Sequence, residues 1–235
     1  MDTNGAAHAL ARVSAELTDG HNVAGGLVVL LRSCGAFLDT QATGILVENS
    51  RGALELLGAS SHEATELEVL QAQLDEGPCV DAHASGEGVQ AAGLQECLTR
   101  WPRFGQALEK SGFASVHASP VRWQGAVIGA MGAFRKSDRP FAQDEQLFAQ
   151  AFADLASVMI VSTGELSADD LRGRLDETLA SRIAIEQAKG VLAERRDISM
   201  AQAHEQLVDE ASAAGRPLAE WAASVVSDAH RRYST

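Results

Sequence analysis

Strand-like patterning ends at Phe134, and from residue 144 onward the chain carries only helical spacing. That change of period constrains the fold more than any single motif, because a sheet needs residues alternating in twos and a helix needs threes and fours. The 235 residues therefore divide into a mixed α+β part and an all-α part, with enough chain to bury a core. Charge divides at about the same place. Residues 1–170 balance to −12 and residues 171–235 to −1, out of −13 for the whole, so the two parts serve different electrostatic tasks. Most glycine also lies before Phe134, where turns between short elements need it.

In the first part, 6–17 has helical spacing through Leu10, Val13 and Leu17, and 23–38 reads as a second, more buried helix. Strands are expected over 42–48 and 53–60 around the turn Asn49-Ser50-Arg51-Gly52, and a helix over 61–74, with Ser61 as N-cap and Leu67, Leu70 and Leu74 on one face. Two more strands, 115–121 and 126–134, flank the hairpin connection Arg122-Trp123-Gln124-Gly125. Together these predict an antiparallel sheet with helices packed on it. In the second part, Leu147, Ala151, Leu155, Val158 and Ser162 form a seam suited to a two-helix contact or to packing on the chain's own sheet. A helix runs from Leu171 toward Arg196, with a restart or hinge at Gly164–Ser167 left open. Ser199-Met-Ala-Gln202 has capping-box spacing for the next helix, in which Ala203 and Leu207 face inward, and Gly215-Arg216-Pro217 ends that helix and begins another.

Arg182, Lys189 and Arg196 recur every seven residues along the long helix, a step that drifts only about 20°, so they are expected along one stripe. Ile185, Ala188 and Leu192 cover a neighbouring apolar face. Gly190 costs roughly 1 kcal/mol inside a helix, which points to close approach by another helix or a ligand backbone. A plain solvated helix satisfies the same spacing.

Leu179-Ala-Ser-Arg182, Ile185-Glu-Gln-Ala-Lys-Gly190 and Ser199-x-x-x-Ala203-x-x-x-Leu207 resemble the ANTAR domain, a three-helix RNA-binding module of bacterial transcription antitermination regulators, over about 171–232. The resemblance implies binding of hairpin pairs in nascent transcripts. It puts Arg182 and Lys189 on or beside the RNA surface, with Gln187, Ala188 and Gly190 shaping it. Val208 stands where the family often has Arg, and Arg195, Arg196 and Arg216 are the candidates to compensate. A near-neutral tail predicts weak binding by one copy, so two tails joined by a coil, and hence a homodimer, belong to the expectation.

The first 165 residues or so resemble a GAF domain, through Asp75-Glu-Gly-Pro-Cys-Val-Asp-Ala82, Gly86, Pro120-Val-Arg122 and Val127-Ile-Gly-Ala-Met-Gly-Ala-Phe134. Gly77-Pro78 is expected to set a turn, and Cys79, Asp81 and Arg122 are the candidate ligand contacts, for an unidentified small molecule and no named cofactor. The alternative is a loop that caps the sheet and binds nothing, in a domain serving only to dimerise. Cys34-Gly, Cys79-Val and Cys97-Leu lack the Cys-His of bilin attachment, and the Asn-Lys pattern of cyclic-nucleotide GAF domains is missing.

Several function classes fall away. Three scattered cysteines suit neither a disulfide framework nor a thiolate metal site. The most apolar run, 23–31, stops at Arg32, short of the roughly 20 residues a membrane span needs. Asp2 stands where a signal peptide would carry Lys or Arg, and with an aromatic content of 5 % no base-stacking platform is expected. No phosphate loop, nucleophile elbow, His-Glu-x-x-His or kinase loop occurs. The sequence therefore predicts a cytoplasmic, dimeric, non-enzymatic regulator. A GAF-like sensor (1–165, including a linker helix at about 144–165) precedes an ANTAR-like domain (166–235). The alternative is a protein-interaction module with a helical docking tail and no RNA binding.

Overall fold

A computed structural model of the chain describes residues 23–161 and 168–233. The predicted helix over 6–17, the proposed boundary at 165/166 and the hinge at 164–167 lie outside the described residues. The elements in order are α1 (Val23–Leu38), β1 (Ala42–Glu48), β2 (Leu54–Ala59), α2 (His62–Leu74), α3 (Pro78–Ser85), β3 (Val89–Ala92), α4 (Leu94–Arg100), α5 (Pro102–Lys110), β4 (Ser115–Trp123), β5 (Ala126–Arg135), α6 (Gln143–Val161), α7 (Ala168–Arg196), α8 (Met200–Ala213) and α9 (Leu218–Tyr233).

The five strands pair antiparallel in the order β2-β1-β5-β4-β3. Asn49 shapes the β1–β2 turn, its Oδ1 accepting from the amides of Arg51 and Ala53. The β4–β5 connection places both Gln124 and Gly125 at positive φ (48° and 84°), the backbone twist that a two-residue hairpin requires. Alternation along the strands sends two sets of side chains to opposite faces. Ile45, Val47, Leu57 and Ala133 pack with Leu27, Leu31, Phe152 and Ile160 of α1 and α6. Leu46, Leu56, Val116, Ala118 and Phe134 pack with Leu67, Cys79, Phe104 and Leu108 of α2, α3 and α5. The second face is filled largely by aromatic contacts, Phe134 meeting Phe104 and Phe113, and Phe104 meeting Trp101.

Arg135, at the end of β5, is buried and ties the first face together. Its guanidinium donates to the Leu38 carbonyl (2.6 Å) and the Glu145 carboxylate (2.9 Å), and lies 4.0 Å over the Phe141 ring. It thus joins the C-terminus of α1 to the start of α6. Glu145 is held below the usual carboxylate range by Arg139, by the Ala142 amide and by Arg135, against a burial penalty.

The structure differs from expectation in the middle of the domain. Asp75 and Gly77, at φ 51° and 148°, bend the chain at the expected place, and Pro78 then opens a helix, α3, that the sequence reading did not place there. The helix over 61–74 starts at its Ser61 cap as expected, the Ser61 hydroxyl accepting from the Ala64 amide. Its inward face, however, is Ala64, Leu67, Glu68 and Gln71, while Leu70 and Leu74 are only half-buried. The physical reason is a niche made by two glycines. A Cβ at Gly44 would come within 2.5 Å of the Glu68 side chain, and one at Gly132 within 2.3 Å. Glu68 is fully buried there, its Oε2 accepting from Gln71 Nε2 (2.9 Å) and its Oε1 from the Cys79 thiol (3.6 Å). Gln71 Oε1 in turn accepts from the Cys79 amide (2.9 Å). Burial pushes the Glu68 carboxyl up to about 8, partly offset by the bond from Cys79.

This placement sets a pH dependence. Between pH 4.5 and about 8 the unfolded chain ionises Glu68 while the folded protein keeps its proton, so stability falls as pH rises through that window and levels above it. Glu68→Gln is expected to match the wild type near pH 4.5 and to exceed its melting temperature on the order of 5–10 °C at pH 8.5, as read by circular dichroism.

Candidate nucleic-acid interface and module junction

The tail is built as its sequence dictates. Ser199 closes a capping box, its hydroxyl accepting from the Gln202 amide (3.2 Å) while Gln202 Oε1 accepts from the Ser199 amide (3.0 Å). Gly215, at φ 60°, breaks the chain between α8 and α9, and the Pro217 carbonyl accepts the first bond of α9 from Trp221. Ala188 and Leu192 of α7, Ala203 and Leu207 of α8, and Leu218 and Ala222 of α9 form one apolar cluster. Ala24 and Val28 of α1 belong to the same cluster. The three tail helices therefore share their core with the first helix of the sheet domain.

That shared core decides where the candidate residues point. Lys189 is 0 % exposed, its Nζ bonded to both oxygens of Glu186 (3.1 and 2.9 Å). Arg182 is half-buried near Glu186 and, across the junction, Glu55 of β2. Burial lowers its pKa against those two carboxylates, and its Nε meets no hydrogen-bond partner. Arg196 is tied to α8, pairing with Glu210 at 2.6 Å and donating to Gln206. The seven-residue row of cations is thus not an open stripe, because the side of α7 carrying Lys189 turns inward. Ala188 is core as well.

A different stripe of α7 is open. Ile183 is 59 % exposed, and Gln187 and Gly190 follow it at helical spacing, both exposed. Nothing lies within 4 Å of the place a Gly190 Cβ would occupy. No described helix comes within 4 Å of that position, and among the described residues nothing in the packing explains the cost of a glycine there. Arg195 is exposed, as is Arg216, which lies 5.4 Å over the Trp221 ring.

In the sheet domain the three ligand candidates have separate structural partners. Cys79 is sealed beside Glu68, and burial followed by that carboxylate raises its thiol well above the ordinary range. Asp81 Oδ2 accepts from Trp101 Nε1 (3.0 Å), fastening α3 to the start of α5, and Arg122 donates to the Gly86 carbonyl at the end of α3.

Sequence reading missed His204, Arg32 and the Glu68–Gln71 pair. His204 is 4 % exposed and neither ring nitrogen has a hydrogen-bond partner. Burial, then the charges of Lys189 and Arg32 and the nearby His62, lower its pKa to about 3. At neutral pH it is an uncharged wedge between α8 and the sheet domain. A buried His has no signature in a helix of mixed composition. Arg32, by contrast, was visible as the one charge in an otherwise apolar run.

No group of three or more His, Cys, Asp or Glu able to hold a metal ion occurs among the described residues, and no described helix is long and apolar enough to cross a membrane.

Comparison with known proteins agrees with both halves. The GAF domain family matches residues 7–160 and the ANTAR domain family residues 173–226. The GAF domain of a phosphoenolpyruvate-protein phosphotransferase from Coxiella burnetii superposes with a TM-score of 0.55 at 16 % identity, over 69 % of this chain and 96 % of that one. The corresponding Acinetobacter domain gives 0.53 at 15 %, over 71 % and 100 %. At such identity these likenesses show the fold alone. No curated protein matches the chain. Both matched families are sensory and regulatory modules rather than catalysts. The chain belongs to the GAF family, and the ANTAR domain fused behind its sheet gives it the architecture of the GAF–ANTAR regulators.

Proposed function

We propose that this protein is an RNA-binding transcription antitermination regulator of the cytoplasm, whose tail recognises paired hairpins in nascent transcripts under the control of its GAF domain. The observation that carries the reading is the open stripe Ile183–Gln187–Gly190, lying within the segment matched by the ANTAR family and containing a helical glycine that no contact among the described residues explains. A bare backbone lets a nucleotide approach closely, and a Gln amide can pair with the edge of an unstacked loop base. Arg195 is exposed, and so is Arg216, which donates to the Ser224 hydroxyl and lies over Trp221; both can turn to phosphates. Arg182 and Lys189 join that surface when the junction with α1 and β2 loosens, so the GAF domain controls how much positive charge the tail presents.

Two copies are needed, because a near-neutral tail binds weakly alone. The seam on α6 supports this: Leu147 is 67 % and Val158 43 % exposed, Ala151 is exposed and Leu155 half-buried. The opposite side of the helix, through Phe152, Ala153, Ala156 and Ile160, covers the sheet. Ser162, the fifth residue of the seam, lies outside the described residues.

The exposure of Ile183 also favours a second reading, in which the tail docks a partner protein without RNA. A partner that co-purifies and resists ribonuclease would support it.

Gly190→Ala separates stability from function. Replacing a helical glycine with open space around it is expected to stabilise the tail by about 0.5–1 kcal/mol while weakening binding of a paired-hairpin RNA at least tenfold, as read by fluorescence anisotropy at stated salt. A stabilised variant with undiminished affinity would sink the reading. Arg195→Ala and Arg216→Ala are each expected to reduce the salt slope by about 0.7–0.9, one phosphate contact apiece, with little effect on melting. Leu147→Glu combined with Val158→Glu is expected to yield a folded monomer in sedimentation and to lose binding to the paired target more than to a single hairpin.

A further inference from the structure

A cleft of about 410 Å³ opens between the two domains, and its walls are of opposite character. One wall is the sheet domain, contributing Arg32 of α1 together with Gln41, Ser60 and Ser61. The other is α8, contributing Glu205 and Asp209. Arg32 is the one charge of α1 and makes no ion pair or hydrogen bond among the described residues. The hydroxyls of Ser60 and Ser61 accept from the Thr43 and Ala64 amides, which leaves each O–H free to donate. Gln41 Oε1 accepts from the Lys136 amide, leaving its NH₂ free. Ser61 also caps the 13-residue helix α2, whose N-terminus adds partial positive charge to the same wall.

The facing wall has the complementary lack. Glu205 and Asp209 stand four residues apart on one face of α8, where like charges repel. Among the described residues neither side chain has a hydrogen bond or ion pair, although Glu210 beside them is paired with Arg196. No ion pair crosses the cleft from Arg32 to either carboxylate. One wall thus offers unused donors and a positive charge and the other unused carboxylate acceptors, and no bond of the protein joins the two across the cleft.

We propose that this cleft binds a small zwitterion, a molecule carrying a carboxylate at one end and an ammonium group at the other. The carboxylate meets Arg32 and the Ser60 and Ser61 hydroxyls. The ammonium sits between Glu205 and Asp209 and relieves their repulsion. Because the walls belong to different domains, the ligand binds only where they face each other, the arrangement in which Lys189 and His204 are covered, and it stabilises that arrangement by mass action. This consequence for RNA rests on the proposed function above; the site itself does not.

The test is titration calorimetry of the full chain, without RNA, against the unbranched ω-amino acids from β-alanine to 6-aminohexanoate, with butanoate and butylammonium as single-ended controls. At least one member is expected to give saturable heat, with either control at least tenfold weaker. Arg32→Met and Asp209→Asn are each expected to weaken it at least tenfold without lowering the unliganded melting temperature, Asp209→Asn raising it slightly by relieving the Glu205–Asp209 repulsion, and Arg32→Met is expected to leave the weak response to butylammonium as it was. Absence of heat from the whole series, or heat retained in both variants, overturns the proposal. Because heat is read without nucleic acid, a protein that binds the zwitterion but no hairpin overturns the RNA reading and leaves this one standing.

Discussion

The structure depends on one helix being apolar on every side. α1 sends Leu27, Leu30, Leu31, Cys34 and Leu38 into the core beneath the sheet, and Ala24 and Val28 into the core of the tail. A helix that is hydrophobic all round has to be covered all round. The sheet and α6 cover one side and the tail helices the other. Without the tail, Val28 and its neighbours would face water; without α1, Ala188 and Leu192 would lose part of their cover. Arg32, the charged residue of this helix, lies at the cleft between the two cores, where it keeps access to solvent.

Elements whose signal is local were legible in the sequence. The β1–β2 turn follows from Asn49 and Gly52, the starts of α2 and α8 from Ser61 and Ser199, and the break before α9 from Gly215. Each depends on a few neighbouring residues and on backbone chemistry that no tertiary contact overrides. The short elements between Pro78 and Lys110 were not legible, because helices of seven to nine residues complete barely two turns and β3 spans four residues. The inward turn of Glu68 was hidden for another reason. Leucine spacing marks one face of α2, yet the face that packs is chosen by the space over Gly44 and Gly132 on strands far away in sequence.

The candidate site shows the same division. Position along α7 was readable, and which side of α7 meets water was not. A lysine buried at 0 % is unusual unless paired, and its partner Glu186 lies three residues back. That pair reads as an ordinary surface ion pair until the folded neighbours of α7, His204 of α8 among them, close over the lysine. Pattern thus located the helix and its motif, while the division into open and covered cations came from contacts spanning some 150 residues of chain.

The energies at the junction are small enough for a ligand to shift it. Burying Val28 of α1 in the tail core and Leu179 of α7 in the sheet-domain core contributes about 1.5–3 kcal/mol each, and Ala24 adds less. Against this stand His204, desolvated with two unmet ring nitrogens, and Arg182 with an unmet Nε, each costing on the order of 1–3 kcal/mol. The favourable and unfavourable terms at the junction are thus of the same order and oppose each other. A hydrogen bond to a charged group contributes about 1.5–3 kcal/mol, so a ligand making one at each wall of the cleft acts on the same scale. Such a ligand need not reshape the sheet or reach α7. It has only to bind the two walls together, and the number of cations open to RNA then follows from how firmly α8 is held against α1.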